Sequence, residues 1–331
     1  MDSGVISRPL IEINNLSKSF PIKQPILDII LRKPQKFLKA VDDVSLVINK
    51  GETMGLVGES GCGKSTLART IVRLYDPQKG EVVFDGIDIT NIKGKQLREL
   101  RRNFQIIFQD PYSSLNPRFS VRDMLSEILS VHKMCPKSEL DDRIIELMNM
   151  VGLSKQYLNR FPGEFSGGQR QRIGIAKALA LKPQFIIADE PVSALDVSIQ
   201  AQIINLLARL QKQLNLTILF ISHDLRVVRH ITHSVAIMYL GKIVELGKTS
   251  QVFEAPHHPY SNVLIKSAPV LDPRHKAKDY LIEGEPPSPI NIPTGCRFHP
   301  RCPYMQERCK AEIPELMRLP DDRLVACHYP V

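Results

Sequence analysis

The sequence predicts a mixed α/β fold: a strand-rich core carrying an inserted helical subdomain, followed by a small cysteine-rich extension. Three observations carry this expectation. A glycine-rich run, Gly58 to Thr66 (GESGCGKST), joins an apolar strand to a helix, the hydrophobic period turns helical between Val121 and Leu181, and four of the six cysteines fall in the last 36 residues.

From Leu10 to about Phe84 the chain reads as short strands, LIEINNLSKSF, VDDVSLVI, ETMGLVG and GEVVFDG, with a helix entered from the glycine-rich run at Lys64. The stretch 22–39 interrupts them with mixed basic and apolar residues and is expected to form a surface hairpin. DMLSEILSVHK, ELDDRIIELMNMVGL and QRIGIAKALAL give the helical insert, about 121–181. A buried strand FIIAD, a helix from Ser198, the strand LTILFIS and a final strand pair around SVAIMYLGKIVELG complete a core of residues 8–250. Residues 251–294 are expected to be a helix and a proline-rich linker, and the cysteine-rich tail, 295–331, to hang beyond it.

Bulk properties narrow the class. A chain of 331 residues can bury one large core plus an appendage, or two ordinary domains. Apolar residues at 43% and charged residues at 24% argue against disorder and against a membrane-spanning protein. The longest apolar runs are strand-sized, well short of the roughly 18 residues that cross a bilayer. No signal-peptide pattern is visible near Met1, so the expected location is the cytoplasmic side of a membrane or the cytoplasm itself. The net charge of +9 suits nucleic acid and the anionic inner face of a membrane equally.

The run G-x-x-x-x-G-K-[ST] is met by Gly58, Gly63, Lys64 and Ser65, with Gly61 added. Glycines let backbone N–H groups turn onto phosphate oxygens, the helix start adds positive potential, Lys64 bridges the outer phosphates and Ser65 reaches Mg²⁺. The bland alternative is a flexible turn before a helix. Glu59, Ser60, Cys62 and Thr66 complete the loop. Cys62, beside a helix start, is expected to be a small filler, with a lowered thiol pKa and ATP-sensitive alkylation as a side hypothesis. At the end of FIIAD, Asp189 can hold the Mg²⁺ shell, and Glu190 can orient an attacking water.

FSGGQ, residues 165–169, followed by the basic helix RQRIGIAKALA, resembles the signature of ATP-binding cassette (ABC) ATPases. The motif order agrees: Phe20 before the core, the phosphate loop, Gln109 in IIFQDP, the signature, FIIADE, SALD at 193–196 and His223 in FISHD. The resemblance implies an ABC-type phosphate-loop ATPase core with an antiparallel β subdomain and the helical insert. It implies that Phe20 stacks on adenine, that Gln109 touches Mg²⁺ and the water, and that His223 contacts the γ-phosphate. Ser166, Gly167, Gly168 and Gln169 would serve the ATP of a second cassette, and Asp196 would couple the two sites. Mg²⁺ would be held through Ser65, Gln109 and Asp189. Catalysis would rest on Glu190, His223, Gln109 and Lys64. Phe165 where leucine is commonest and Phe20 where tyrosine is usual are the two departures.

The tail GEPPSPINIPTGCRFHPRCPYMQERC with CHYP, together with FQDPYSSLNPR and EPVSALDVSIQAQIINLL, resembles the ATPase subunits of oligopeptide and dipeptide importers over nearly the whole chain. The resemblance implies a second, non-identical ATPase subunit, two permeases whose helix the helical insert and the loop 111–118 would receive, and a solute-binding protein. It implies a peptide cargo, with nickel chelates or oligosaccharides as alternatives. A soluble ABC ATPase acting on nucleic acid or ribosomes is the competing class. Cys296, Cys302, Cys309 and Cys327, spaced C-x5-C-x6-C-x17-C, lack the tight knuckles of zinc sites, and cytosolic thiols stay reduced. A 4Fe-4S cluster, found in some members of the family, is the leading expectation, with Zn²⁺ or free thiols as alternatives. His299 and His328 flank these cysteines.

Overall fold

The computed structural model describes residues 8–26, 30–110, 115–267, 285 and 287–331. Residues 268–284 and 286 of the helix and linker expected at 251–294, part of the hairpin at 22–39 and part of the loop at 111–118 lie outside the described residues. The chain divides into two compact units, one of residues 1–8, 49–53 and 92–222, the other of residues 9–48, 54–91 and 223–331.

The second unit opens on a four-stranded sheet ordered β2-β1-β4-β5, from β1 (Pro9–Pro21), β2 (Phe37–Asn49), β4 (Lys79–Phe84) and β5 (Ile87–Asp88). Alternating burial puts Ile11 and Ile13 of β1 and Val44, Leu46 and Ile48 of β2 inside, the pattern of strands with one covered face. Ile22 N–H donates to the Lys36 carbonyl at 3.0 Å, drawing the ends of the 22–39 stretch together. In the same unit β3 (Thr53–Val57) runs parallel to β9 (Ser234–Tyr239), which pairs antiparallel with β10 (Lys242–Lys248). All five residues of β3 are buried, as expected of a strand covered on both faces. Helix α1 (Lys64–Ile71) buries Leu67, Ala68 and Ile71.

The tail does not hang free. Its strand β12 (Leu324–Val325) pairs antiparallel with β10, Val325 opposite Glu245, and β11 (Met317–Arg318) pairs with β12 in turn. Two-residue strands carry no periodicity, so nothing in the sequence signals this stitching. Helix α8 (Thr249–Glu254) and helix α9 (Pro259–Lys266) follow β10, and α10 (Glu307–Ala311) lies among the cysteines.

The first unit holds a parallel set, β6 (Phe104–Ile107), β7 (Phe185–Asp189) and β8 (Thr217–Ile221), with β7 and β8 wholly buried. Helix α2 (Gly94–Leu100) precedes β6. The insert contains α3 (Val121–Val131), α4 (Leu140–Met150) and α5 (Gly167–Leu179), the helices expected at 121–181. In α3, Val121, Met124, Leu125 and Leu129 form one buried stripe at helical spacing. Helix α6 (Val197–Leu214) connects β7 to β8, and α7 (Leu225–Ile231) connects β8 to β9.

Candidate functional site

The buried strand β3 delivers the chain into the glycine-rich loop, and α1 begins as the loop ends. Gly63, the residue before the helix, has φ +112°, and a Cβ there would stand 2.0 Å from the Ala40 carbonyl oxygen. Only glycine fits that backbone. Lys64 is 6% exposed, and its ammonium donates to the carbonyls of Gly58 at 2.8 Å and Glu59 at 3.0 Å. The loop is thereby curled around its own lysine. The first turn of α1, which contains Ser65 and Thr66, has no acidic residue, so its positive end faces the loop uncompensated. The loop and the helix start together form an anion cradle.

Cys62 in that loop is buried, and burial pushes its thiol up, against the opposing charge of Lys64. The side hypothesis of a reactive, acidified thiol is therefore overturned: desolvation of the thiolate outweighs the helix start, and Cys62 is a filler. Its carbonyl accepts from Gly241 N–H at 2.8 Å. Glu59 N–H donates to Tyr260 Oη at 2.9 Å, and Arg301 Nη1 donates to both Glu59 carboxylate oxygens at 3.0 and 3.2 Å. A pocket is lined by Glu59 to Cys62, Tyr239 and Leu240 together with Glu285 and residues 287–289 of the proline-rich stretch. Phe20, half-buried near the end of β1, stands edge-on to Tyr75 with ring centroids 5.3 Å apart, and the Lys18 ammonium lies 5.4 Å from its ring. His223 is exposed just ahead of α7, whose first turn is capped by Asp224 through Arg226 N–H at 2.9 Å.

In the other unit, β7 ends at the buried Asp189, paired opposite Ile221. Glu190 follows with φ +49°, a left-handed conformation that a non-glycine residue rarely adopts. Three bonds hold it there: its N–H donates to the Ile221 carbonyl at 3.0 Å, and its carbonyl accepts from Ser193 N–H at 3.3 Å and Ser193 Oγ at 3.1 Å. The start of SALD is thus tied to the backbone of Glu190. Asp196 precedes α6 without capping it through its side chain. Gln109 lies exposed two residues past β6.

Ser166 caps α5 in a reciprocal box: Gln169 N–H donates to Ser166 Oγ at 3.3 Å, and Ser166 N–H to Gln169 Oε1 at 3.0 Å. Gly168 is required by packing, since a Cβ there would meet Ile199 Cγ2 at 2.4 Å. Phe165 is 4% exposed and edge-on to Tyr157 at 5.8 Å, so its aromatic ring fills the interior.

The four tail cysteines converge. Cys296, Cys302, Cys309 and Cys327 line one cavity with His258, Phe298, His299, Tyr304, His328 and Tyr329. Burial pushes the Cys296 thiol up, and those of Cys302 and Cys327 up to about 11, with the neighbouring cysteines adding to the rise. Backbone N–H groups are aimed at three of the sulfurs: Phe298 and His299 at Cys296, Tyr304 at Cys302, and Tyr329 at Cys327 at 3.4 Å. Among the described residues, no group of three or more His, Cys, Asp or Glu is placed to hold a single metal ion.

Sequence reasoning missed Tyr260, Tyr239, Arg301 and Glu245. Glu245 alone carried a signal, as one carboxylate inside the apolar strand IVELG. The others act through contacts made only in three dimensions.

A phosphate loop, a carboxylate pair closing a buried strand, and a serine-capped glycine start to a basic helix define an ATPase of the ATP-binding cassette class. Residues 41–193 match the ABC transporter family and residues 244–309 the oligopeptide/dipeptide transporter C-terminal region. The chain belongs to the ABC transporter ATP-binding subunits that carry this C-terminal region. It is 49% identical over 323 residues to the probable peptide ABC transporter ATP-binding protein y4tS of Sinorhizobium fredii, covering 98% of this chain and 90% of that one. It is 49% identical to the oligopeptide transport ATP-binding protein AppF of Bacillus subtilis, over 96% of this chain and 97% of AppF. The oligopeptide transport ATP-binding protein OppF of Haemophilus influenzae is 47% identical over 96% of each chain. Among solved structures, the dimeric post-hydrolysis state of the cassette MJ0796 bound to ADP and phosphate aligns with TM-score 0.62 at 28% identity, over 72% of this chain and 98% of that one. CbiO1 from Clostridium perfringens, part of an ABC transporter complex, aligns with TM-score 0.63 at 27% identity, over 74% of this chain and 91% of that one. The chain is therefore an ATP-hydrolysing transport subunit that works with ATP and Mg²⁺. No helix among the described residues is long and apolar enough to cross a membrane.

Proposed function

We propose that this subunit hydrolyses ATP to drive import of oligopeptides or dipeptides through a separate pair of permeases, from the cytoplasmic face of the membrane. A second ATPase subunit completes the machine, and an extracytoplasmic solute-binding protein delivers the cargo. The named relatives support the peptide assignment, since likeness to them spans the tail as well as the core.

Gly58 to Thr66 wrap the nucleotide's phosphates, Lys64 exchanging its carbonyl partners for phosphate oxygens, while Ser65 offers its hydroxyl to Mg²⁺. Phe20 stacks on the base, and His223 donates a hydrogen bond to the γ-phosphate. Asp189 and Gln109 serve the Mg²⁺ shell, and Glu190 orients the attacking water. Bound Mg²⁺ neutralises the charge developing on the phosphates. Gly167 and Gly168 present N–H donors, and Ser166 and Gln169 the capped helix start, to the partner subunit's ATP, and Asp196 links the two sites.

The observation that supports hydrolysis best is Glu190, fixed in a strained conformation directly after Asp189. In the assembled transporter, Glu190→Gln is expected to retain ATP while turnover and peptide uptake disappear; steady-state hydrolysis at the wild-type rate refutes the role.

We propose that the cysteine cavity holds an iron–sulfur cluster. Four thiols share one lining, three receive backbone N–H donors as cluster-bound thiolates do, and a cluster spreads its ligands over four irons and not around one ion. Cys296, Cys302, Cys309 and Cys327 would hold it, its positive charge stabilising the thiolates that burial disfavours. Anaerobically purified protein is expected to be brown and to contain iron; zinc in its place, or no metal, overturns this assignment.

A further inference from the structure

Glu59, the first residue after Gly58, is gripped from outside the phosphate loop at both its backbone and its side chain. Its N–H is held by Tyr260 of α9 and its carboxylate by Arg301 of the cysteine-rich extension. The Arg301 side chain is only 7% exposed, and the same Nη1 reaches Tyr239 Oη at 3.4 Å. Glu59 is the only carboxylate paired with Arg301 among the described residues. Around this contact Tyr239, Tyr260 and Phe298 pack ring to ring, with centroids 4.6 Å apart for the two tyrosines and 5.3 Å for Tyr239 and Phe298. Phe298 and Arg301 both lie in the short span between Cys296 and Cys302, so the loop that brings two of the cysteines to their cavity also brings the guanidinium to the phosphate loop. Arg297 adds a second tie by donating to the Leu240 carbonyl and the Asp42 carboxylate.

We propose that Arg301 is a positioning residue for nucleotide binding: from the extension it fixes Glu59 and with it the entry turn of the phosphate loop. The extension is then a working part of the nucleotide site. The Glu59 carbonyl is one of the two that Lys64 engages, so a Glu59 held in place keeps the lysine and the following N–H groups in register. A loop ordered beforehand spends less of its binding energy on ordering when the phosphates arrive. Truncating Arg301 also strands a carboxylate beside a site meant for an anion, which opposes the nucleotide's own charge.

This rests on residues 58–66 being the phosphate loop, and the test separates the two ideas. Full-length protein is titrated with methylanthraniloyl-ATP and Mg²⁺. Arg301→Met is expected to weaken binding about tenfold, and Arg301→Lys to recover most of the loss. Glu59→Gln weakens it comparably, and the double variant is no weaker than either single one, as one shared contact requires. In the assembled transporter the KM for ATP rises while kcat at saturating ATP stays within about twofold, a split that general loosening of the fold does not produce. Wild-type affinity in Arg301→Met, or losses in the two single variants that multiply in the double, overturns the proposal. Should Arg301→Met fail to fold, Glu59→Gln and Arg301→Lys carry the test. Lys64→Ala reads the underlying assignment: binding retained there sinks the phosphate loop itself, whereas binding lost there and unchanged in Arg301→Met sinks only the positioning role.

Discussion

Glu245 is the clearest place to perturb the join between core and tail. It sits in β10 with no exposure, and each carboxylate oxygen takes one backbone N–H at 2.9 Å: Oε1 from His257 and Oε2 from His258. Arg323 of the tail, itself 4% exposed, stands 3.8 Å from the same carboxylate. Hydrogen bonds to a charged acceptor contribute about 1.5–3 kcal/mol each. The His258 donor is fully buried, and the His257 donor is nearer solvent, which puts its share at the low end. Glu245→Ala is therefore expected to cost about 4 kcal/mol, with Arg323 keeping Asp321, its closer partner. Glu245→Gln keeps one acceptor but turns an NH₂ toward the other N–H, so it should cost about 2 kcal/mol. Urea unfolding read through tyrosine fluorescence or circular dichroism gives both values. A cost below about 1 kcal/mol for the alanine variant, or equal costs for the two, would refute the bidentate account. The same start of α9 places Tyr260, whose N–H donates to His258 Nδ1 at 3.0 Å, so the damage reaches the phosphate loop.

Phe165→Leu restores the residue commonest at the signature's first position; because the ring fills the interior beside Tyr157, it should cost about 1 kcal/mol and leave ATP hydrolysis unchanged. A loss of hydrolysis at unchanged stability would place this ring in the site. Cys62, buried and with its thiol pushed up, should resist iodoacetamide near neutral pH in the native chain and become modified only in denaturant. Rapid native modification mapped to Cys62 by mass spectrometry would contradict the burial argument.

The phosphate loop, the signature and the FIIADE strand were legible because each is local. A glycine run between an apolar strand and a helix, or a serine three residues before a glutamine, draws its meaning from a few neighbours in sequence, and the structure places each at the predicted junction. The helical insert was legible from its period. The strain at Glu190 was not, because a residue's φ is imposed here by Ile221 and Ser193, and no residue type announces it.

By itself, then, the sequence determined the class of chemistry, a phosphate-loop ATPase, and that four cysteines needed an explanation. Only the tertiary structure brought those cysteines to one cavity, laid β12 against β10, and set Arg301 on Glu59 across 242 positions of sequence. The physical reason is range. Capping and loop curvature are settled by bonds within a few residues, whereas a half-buried ion pair between distant segments forms only once packing brings the segments together and excludes part of the water that would otherwise satisfy both charges.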